Sequence, residues 1–264
     1  MPSDEPPQIR TDLDTTPSGH VARVTVDHPG RLNVLNTALI LQLTNTFRRL
    51  SADDDLRCVV LRGAGEKSFI GGADIREMVT LDADSAPDFI SQLHAACTAI
   101  RELPVPAIAS IRGYCLGAGL EIAASCDLRV SSDDAVFGMP EVKVGIPSVI
   151  EAALLPRLIG SGKARQLVYT GESISAAEAG RCGLVDRVVA ATDLNVATLE
   201  WVQAISAAGP AAIRLQKRLT RQWDTAPLQD AIRAGIQTFA DAYETDEPQR
   251  LMQGFLDRPR RNSN

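Results

Sequence analysis

Gly113-Tyr114-Cys115-Leu116-Gly117-Ala118-Gly119-Leu120-Glu121-Ile122-Ala123-Ala124-Ser125 is the stretch around which this chain is organised, and Glu121 is its only charged residue. Gly117 and Gly119 flank Ala118, so the backbone there admits close approach. Leu120 to Ala124 reads as a buried helix that begins near Ala118. A helix start offers free N–H groups and the positive end of a dipole. Glu121 falls in the first turn of that helix. A lone carboxylate in apolar surroundings is costly unless it is paired, hydrogen-bonded or protonated. Further along, Phe137-Gly138-Met139-Pro140-Glu141 supplies a second acid in a tight apolar turn. Two carboxylates in apolar settings are the raw material of acid–base chemistry. Taken singly, Glu121 is equally suited to be a dipole partner turned to solvent, and Glu141 to be a surface acid after a proline. The glycine frame favours the two as a pair.

Working outward, Ala107 to Ile111 is a strand that runs into the central stretch, and Leu128-Arg129-Val130 is another that follows it. Cys58 to Leu61 is apolar throughout, as in a strand buried on both faces. Val21 to Val26 alternates and is rich in β-formers. The loop Gly63-Ala64-Gly65-Glu66-Lys67-Ser68-Phe69-Ile70-Gly71-Gly72-Ala73-Asp74 is glycine-rich but lacks phosphate-loop spacing. Thr37 to Leu50 has helical spacing with Thr37 as cap, and Ala86 to Glu102 is a helix closed by Pro104 and Pro106. Beyond Glu141, Pro147 is placed to begin a helix through Ile159. Short helices follow at Gly162 to Thr170 and Ala176 to Arg181. Asp193 to Ala208, Ala211 to Arg221, Pro227 to Glu244 and Glu247 to Leu256 are all helical. The expected organisation is a polar, disordered leader over 1–18, an α/β core with the active site over 19–190, and a helical region over 191–264. Strands that alternate with helices imply a parallel-rich α/β core.

The 264 residues are 45% hydrophobic and 23% charged, an ordinary globular composition, and the net charge is −6. That charge and the absence of basic runs argue against nucleic acid as a partner. No apolar run reaches membrane-spanning length, so no membrane partner is expected. The cysteines (Cys58, Cys97, Cys115, Cys126, Cys182) are odd in number and lack CxxC spacing, which fits a reduced cytoplasm and no zinc site. The histidines (His20, His28, His94) form no cluster. Cys115 reads as a small core residue, since no base is paired with it.

Several motifs, in order, then resemble a known family. They are Ser68-Phe69-Ile70-Gly71-Gly72-Ala73-Asp74-Ile75, Ile111 to Glu121, Cys126-Asp127, Phe137 to Glu141, Leu167 to Gly171, Ala176 to Val185, Thr245-Asp246 and Gly254-Phe255-Leu256. Together they span roughly Val21 to Pro259 and resemble the crotonase superfamily, most of all its two-glutamate enoyl-CoA hydratases. The resemblance implies a crotonase-like spiral of ββα units with an all-helical C-terminal trimerisation region. It implies a homotrimer or a dimer of trimers. The ligand would be an acyl-CoA thioester, with coenzyme A part of the substrate and no further cofactor or metal. The implied reaction adds water to a 2-enoyl-CoA, giving 3-hydroxyacyl-CoA through an oxyanion-stabilised thioester enolate.

By motif position the oxyanion hole is the backbone N–H of Ala73 and of Ala118. Gly71, Gly72, Asp74, Ile75 and Gly117 would line the ligand beside them. Arg31 and Lys67 stand where the family places cations near the nucleotide, and each is equally suited to plain surface solvation. Glu121 and Glu141 match both acids of the hydratases. The implied roles are Glu121 as the base that orients water and Glu141 as the acid at the α-carbon; the holder of the shared proton stays open. Other acyl-CoA chemistry on the same oxyanion hole (double-bond isomerisation, decarboxylation, thioester hydrolysis) and a non-catalytic acyl-CoA-binding role are the alternatives. One segment departs from the hydratase pattern: Gly145-Ile146-Pro147-Ser148-Val149-Ile150-Glu151-Ala152-Ala153 replaces a glycine-rich run that borders the acyl pocket. Neither Ser148 nor Val149 can be a carboxylate base, and Glu151 reads as a polar residue in a helix first turn.

Overall fold

The computed structural model describes residues 6–16 and 18–257. They fall into two compact units that divide between Val202 and Gln203. In the first unit the strands are β1 (Gln8–Thr16), β2 (Gly19–Asp27), β3 (Leu56–Gly63), β4 (Ser68–Ile70), β5 (Ala107–Ile111), β6 (Tyr114–Leu116), β7 (Leu128–Ser132), β8 (Val136–Gly138), β9 (Ser173–Ser175) and β10 (Arg187–Val189). The helices are α1 (Thr37–Ser51), α2 (Ile75–Met78), α3 (Ala86–Arg101), α4 (Ala118–Ser125), α5 (Leu155–Thr170) and α6 (Ala176–Cys182). Helix α7 (Leu194–Ala207) runs across the division, and α8 (Pro210–Trp223), α9 (Leu228–Ala242) and α10 (Glu247–Leu256) make up the second unit.

From β3 to β8 successive strands alternate between two sheets. The larger has the order β1-β2-β3-β5-β7-β10, and the smaller β4-β6-β8-β9. Each pass therefore lays one long strand in the large sheet and one three-residue strand in the small sheet, and α2, α3 and α4 follow the small-sheet strands. This is the expected spiral of ββα units. The pairs of the large sheet are parallel except β1 with β2, and those of the small sheet are parallel except β8 with β9. Strand β5 is buried along its whole length, as a parallel strand covered on both faces must be. The apolar faces of α1 and α3 meet the sheet in a core that holds Leu39, Leu43, Phe47, Phe69, Leu93 and Phe137. Asp127 ties strand starts together: its Oδ2 accepts from the Ala107 N–H at 2.7 Å.

The expected disordered leader is overturned where it can be read. Residues 8–16 form an antiparallel strand in register with β2, from Gln8 opposite Asp27 to Thr16 opposite Gly19. Its polar composition suits an edge strand: Arg10 pairs with Asp27 at 3.1 Å and Arg23 with Asp14 at 2.5 Å. The rest of that expectation, on residues 1–5 and Pro17, lies outside the described residues. The expected boundary at 190/191 moves to 202/203, because Leu194, Ala197 and Val202 are buried and the Thr198 hydroxyl lies 3.1 Å from that of Ser110 on β5. The helix expected from Pro147 does not begin there. The chain is extended at Val149, makes a 3-10 turn over Ile150–Leu154, and enters α5, which kinks at Gly160 (φ 74°). The N-cap of α1 is Asn36, whose side chain accepts from the Leu39 N–H at 2.9 Å, and not Thr37. β6, β9 and β10 are too short to show a sequence period.

Asn33 knits the approach to β4. It is fully buried, in the left-handed region at φ 55°, which asparagine tolerates better than most residues. Its Nδ2 donates to the carbonyls of Ala64 (2.9 Å) and Ser68 (2.8 Å), and its Oδ1 accepts from the His28 N–H at 2.9 Å. Asn33→Ala strands those three backbone groups. We expect it to lose roughly 2 to 4 kcal/mol of stability in urea denaturation; a loss below about 1 kcal/mol would show that the loop is held elsewhere.

Candidate active site

The site is assembled by the small sheet. β4, β6 and β8 run parallel and adjacent, so their C-terminal ends lie together. β4 leads into Gly71-Gly72-Ala73, β6 into Gly117 and the start of α4, and β8 into Met139-Pro140-Glu141. Ligands in α/β sheets collect at such carboxyl ends.

Both expected backbone donors are brought there. Ala73 forms an isolated parallel bridge with Leu35: the Leu35 N–H donates to the Gly72 carbonyl, and the Asp74 N–H donates to the Leu35 carbonyl, each at 2.8 Å. In that pattern the N–H of Ala73 itself points away from Leu35. Ala118 is the first residue of α4, where N–H groups have no partner within the helix. Two glycines make the geometry possible. Gly117 has φ 51°, and a Cβ there would lie 2.4 Å from Oε1 of Glu141. A Cβ on Gly119 would lie 2.1 Å from the Ile70 carbonyl.

The two acids converge on this frame. Glu121, 5% exposed, lies in the first turn of α4, and its Oε1 accepts from the Ala152 N–H at 3.1 Å. Burial pushes its carboxyl up from 4.5 to about 8, against the lowering effect of the Ala152 N–H and with further raising by Glu141 and Glu151. At neutral pH this favours a proton on Glu121. Glu141 is half-buried at the start of a 3-10 turn, Glu141–Val144. Its Oε1 lies over Gly117 and its Oε2 accepts from the Ser148 hydroxyl at 2.7 Å. The segment Gly145 to Ala153, which departs from the hydratase pattern, thus supplies a hydrogen-bond donor to each acid.

The other candidates divide. The Gly71 N–H donates to the Leu32 carbonyl at 2.9 Å, which fixes the loop ahead of Ala73. Asp74 caps α2 by accepting from the Arg76 N–H at 3.0 Å, and Arg31 reaches within 3.6 Å of its other oxygen while remaining half exposed. Ile75 is 60% exposed beside them. Lys67 is not brought to this cluster: it precedes β4, at the strand end opposite Ala73, with its side chain exposed. Glu151 does lie in a first turn, but it is buried and bonded to His94. Sequence reasoning missed Ser148, Ala152 and His94 as partners of the acids; no spacing links them, and the contacts come from packing. No group of three metal-ligating side chains occurs among the described residues.

The model of the enoyl-CoA hydratase/isomerase family matches residues 16–262. A putative enoyl-CoA hydratase/isomerase of Bacillus subtilis is 37% identical over 89% of this chain and 90% of its own length. The short-chain-enoyl-CoA hydratase of Clostridium acetobutylicum is 34% identical over 91% of this chain and 92% of its own. The crystal structure of an enoyl-CoA hydratase from Bacillus anthracis superposes with a TM-score of 0.88 at 31% identity, over 94% of this chain and 96% of that one.

The proton on Glu121 has a stability signature. Its folded value lies above its unfolded one, so the native state binds the extra proton between about pH 4.5 and 8. Stability from this group is full below pH 4.5 and is lost as pH rises to about 8. Glu121→Gln keeps an acceptor for the Ala152 N–H and removes the titration. We expect the variant to gain on the wild type by roughly 2 to 5 kcal/mol between pH 5 and pH 8, read by denaturant unfolding. Parallel pH profiles for the two proteins would show that Glu121 titrates normally.

Proposed function

The chain belongs to the enoyl-CoA hydratase/isomerase family, and we propose that it works there as an enoyl-CoA hydratase, adding water across the 2,3 double bond of an acyl-CoA thioester. The observation that carries this reading is the meeting of two backbone donors and two carboxylates at the ends of three parallel strands. The thioester oxygen fits between the N–H groups of Ala73 and Ala118, where the start of α4 favours developing negative charge. The enolate formed when water adds at C3 is stabilised there. Coenzyme A is part of the substrate, and the reaction asks for no separate cofactor.

The pair carries one proton between its two carboxyls. Hydration starts with that proton on Glu141. The Glu121 carboxylate takes a proton from water as its oxygen bonds to C3, and Glu141 delivers its own proton to C2. The pair ends with the proton on Glu121, the carboxyl whose burial favours it, and dehydration runs the same steps backwards. Ser148 holds Glu141 and the Ala152 N–H holds Glu121 throughout. Val142, Val144 and Val149 expose apolar side chains on the segments that carry Glu141 and Ser148, which suits a short apolar acyl group. Arg31, half exposed beside Asp74, is the cation we assign to a coenzyme A phosphate.

No helix among the described residues is long and apolar enough to cross a membrane. With its reduced cysteines the protein suits the cytoplasm. Helix α9 exposes Leu228, Ile232, Ile236 and Phe239 at helical spacing, with Tyr243 exposed as its C-cap, and α10 exposes Leu251, Met252, Phe255 and Leu256. Apolar stripes of this kind are covered in working proteins, and the occupant we propose is a second copy of the chain, in a trimer or a dimer of trimers.

Two outcomes are expected. Glu121→Gln and Glu141→Gln each lower hydration by about 10² to 10⁴-fold, followed as loss of the conjugated enone absorbance, while coenzyme A affinity changes little. Near-wild-type turnover in either variant removes that residue from the mechanism. In sedimentation at micromolar concentration the protein runs as a multiple of three chains, and Phe239→Asp shifts it towards monomer; a monomeric wild type overturns the assembly.

A further inference from the structure

Glu151 is an acid that the chemistry above leaves unused, and it is only 3% exposed. It lies in the 3-10 turn Ile150–Leu154, against α3, α4 and α5. His94 on α3 binds it: Nδ1 lies 2.9 Å from Oε1 and 3.2 Å from Oε2. The other ring nitrogen, Nε2, lies 3.4 Å from the Thr98 hydroxyl. That arrangement suits a ring that donates at Nδ1 and accepts at Nε2. The His94 side chain is 54% exposed, so a surface residue reaches in to hold a buried carboxylate.

The residues on either side of Glu151 show what is being held. Ile150 has φ 39°, a left-handed conformation that a β-branched side chain rarely adopts. A residue in such a conformation persists where its surroundings fix it. On the other side, the Ala152 N–H is shared between the Val149 carbonyl at 2.9 Å and Oε1 of Glu121 at 3.1 Å. The turn is thus a strained backbone segment, anchored at Glu151, whose middle residue contacts a catalytic carboxyl.

We propose that His94 and Glu151 are positioning residues for Glu121: His94 braces Glu151, Glu151 fixes the turn, and the turn presents the Ala152 N–H to the carboxyl. This deepens the hydratase reading and rests on it. Glu151 also adds charge. Its carboxylate stands with that of Glu141 behind burial among the causes that raise Glu121. The titratable groups that face this region are His94 and Cys97 from α3, Glu121 from α4 and Glu141 from the turn after β8. Arg157, at the start of α5, is exposed.

Three variants test the pair with a short straight-chain 2-enoyl-CoA. His94→Ala removes the brace at a half-exposed site; we expect an unchanged melting temperature, a kcat about 10- to 100-fold lower, and little change in KM. His94→Asn places an amide N–H where Nδ1 stood and restores most of that loss. Glu151→Gln keeps the shape and removes the charge. It moves the alkaline limb of kcat/KM about one pH unit lower, because the carboxyl pair gives up its proton more readily. The same displacement is read without substrate, in the pH dependence of unfolding that Glu121 imposes. Wild-type kcat in His94→Ala, or His94→Asn no better than His94→Ala, overturns the positioning role. A limb and an unfolding profile that both stay in place in Glu151→Gln overturn the charge role. A wild type that hydrates no enoyl-CoA defeats the hydratase reading instead, and the unfolding profile still decides whether Glu151 governs Glu121.

Discussion

Gly119 lies so close to the end of β4 that an added Cβ would stand 2.1 Å from the Ile70 carbonyl. No other residue type fits there without moving one backbone away from the other. The contact seats the first turn of α4 on the end of the neighbouring strand. From that seat Ala118 opens the helix at the end of β6, and Glu121 is directed into the apolar interior. Gly117 does the matching service on the other side, leaving room for Oε1 of Glu141. Removing Cβ atoms at these two positions lets two peptide donors and two acids share one small volume.

That closeness has an electrostatic consequence. Two carboxylates in a dry, shared space do not both ionise. Burial, followed by the charges of Glu141 and Glu151, raises Glu121, and one N–H, from Ala152, works in the opposite direction. The opposing effects leave Glu121 at about 8, protonated at neutral pH but within reach of its ionised form. A base that also has to give its proton back is best placed there.

Much of this was legible in the sequence. The glycine-framed apolar stretch with one acid, and the second acid after Pro140, announced the site because few residue types tolerate those positions. The helices of the second unit followed from their spacing. What could not be read depends on tertiary contact. Ser148 and Ala152 meet the acids only because the chain between them turns at Ile150, against the preference of isoleucine. Glu151 looks like a surface acid in one dimension and is buried by three helices in three. Strand β1 was misjudged for a related reason. Composition reports solubility, and an edge strand is soluble along its outer side while its inner side is paired along its whole length with β2.

That strand also bears on how the protein avoids sticking to itself. β2, next to the border of the six-stranded sheet, carries Val21, Ala22, Val24 and Val26. Left bare, its backbone would be a template for any extended apolar segment of a neighbouring molecule. β1 occupies that template and offers in its place a border bearing Arg10, Asp12 and Asp14. The opposite border, β10, is only three residues long and gives an incoming strand little to grip. The polar segment that looks dispensable is the sheet's protection against aggregation.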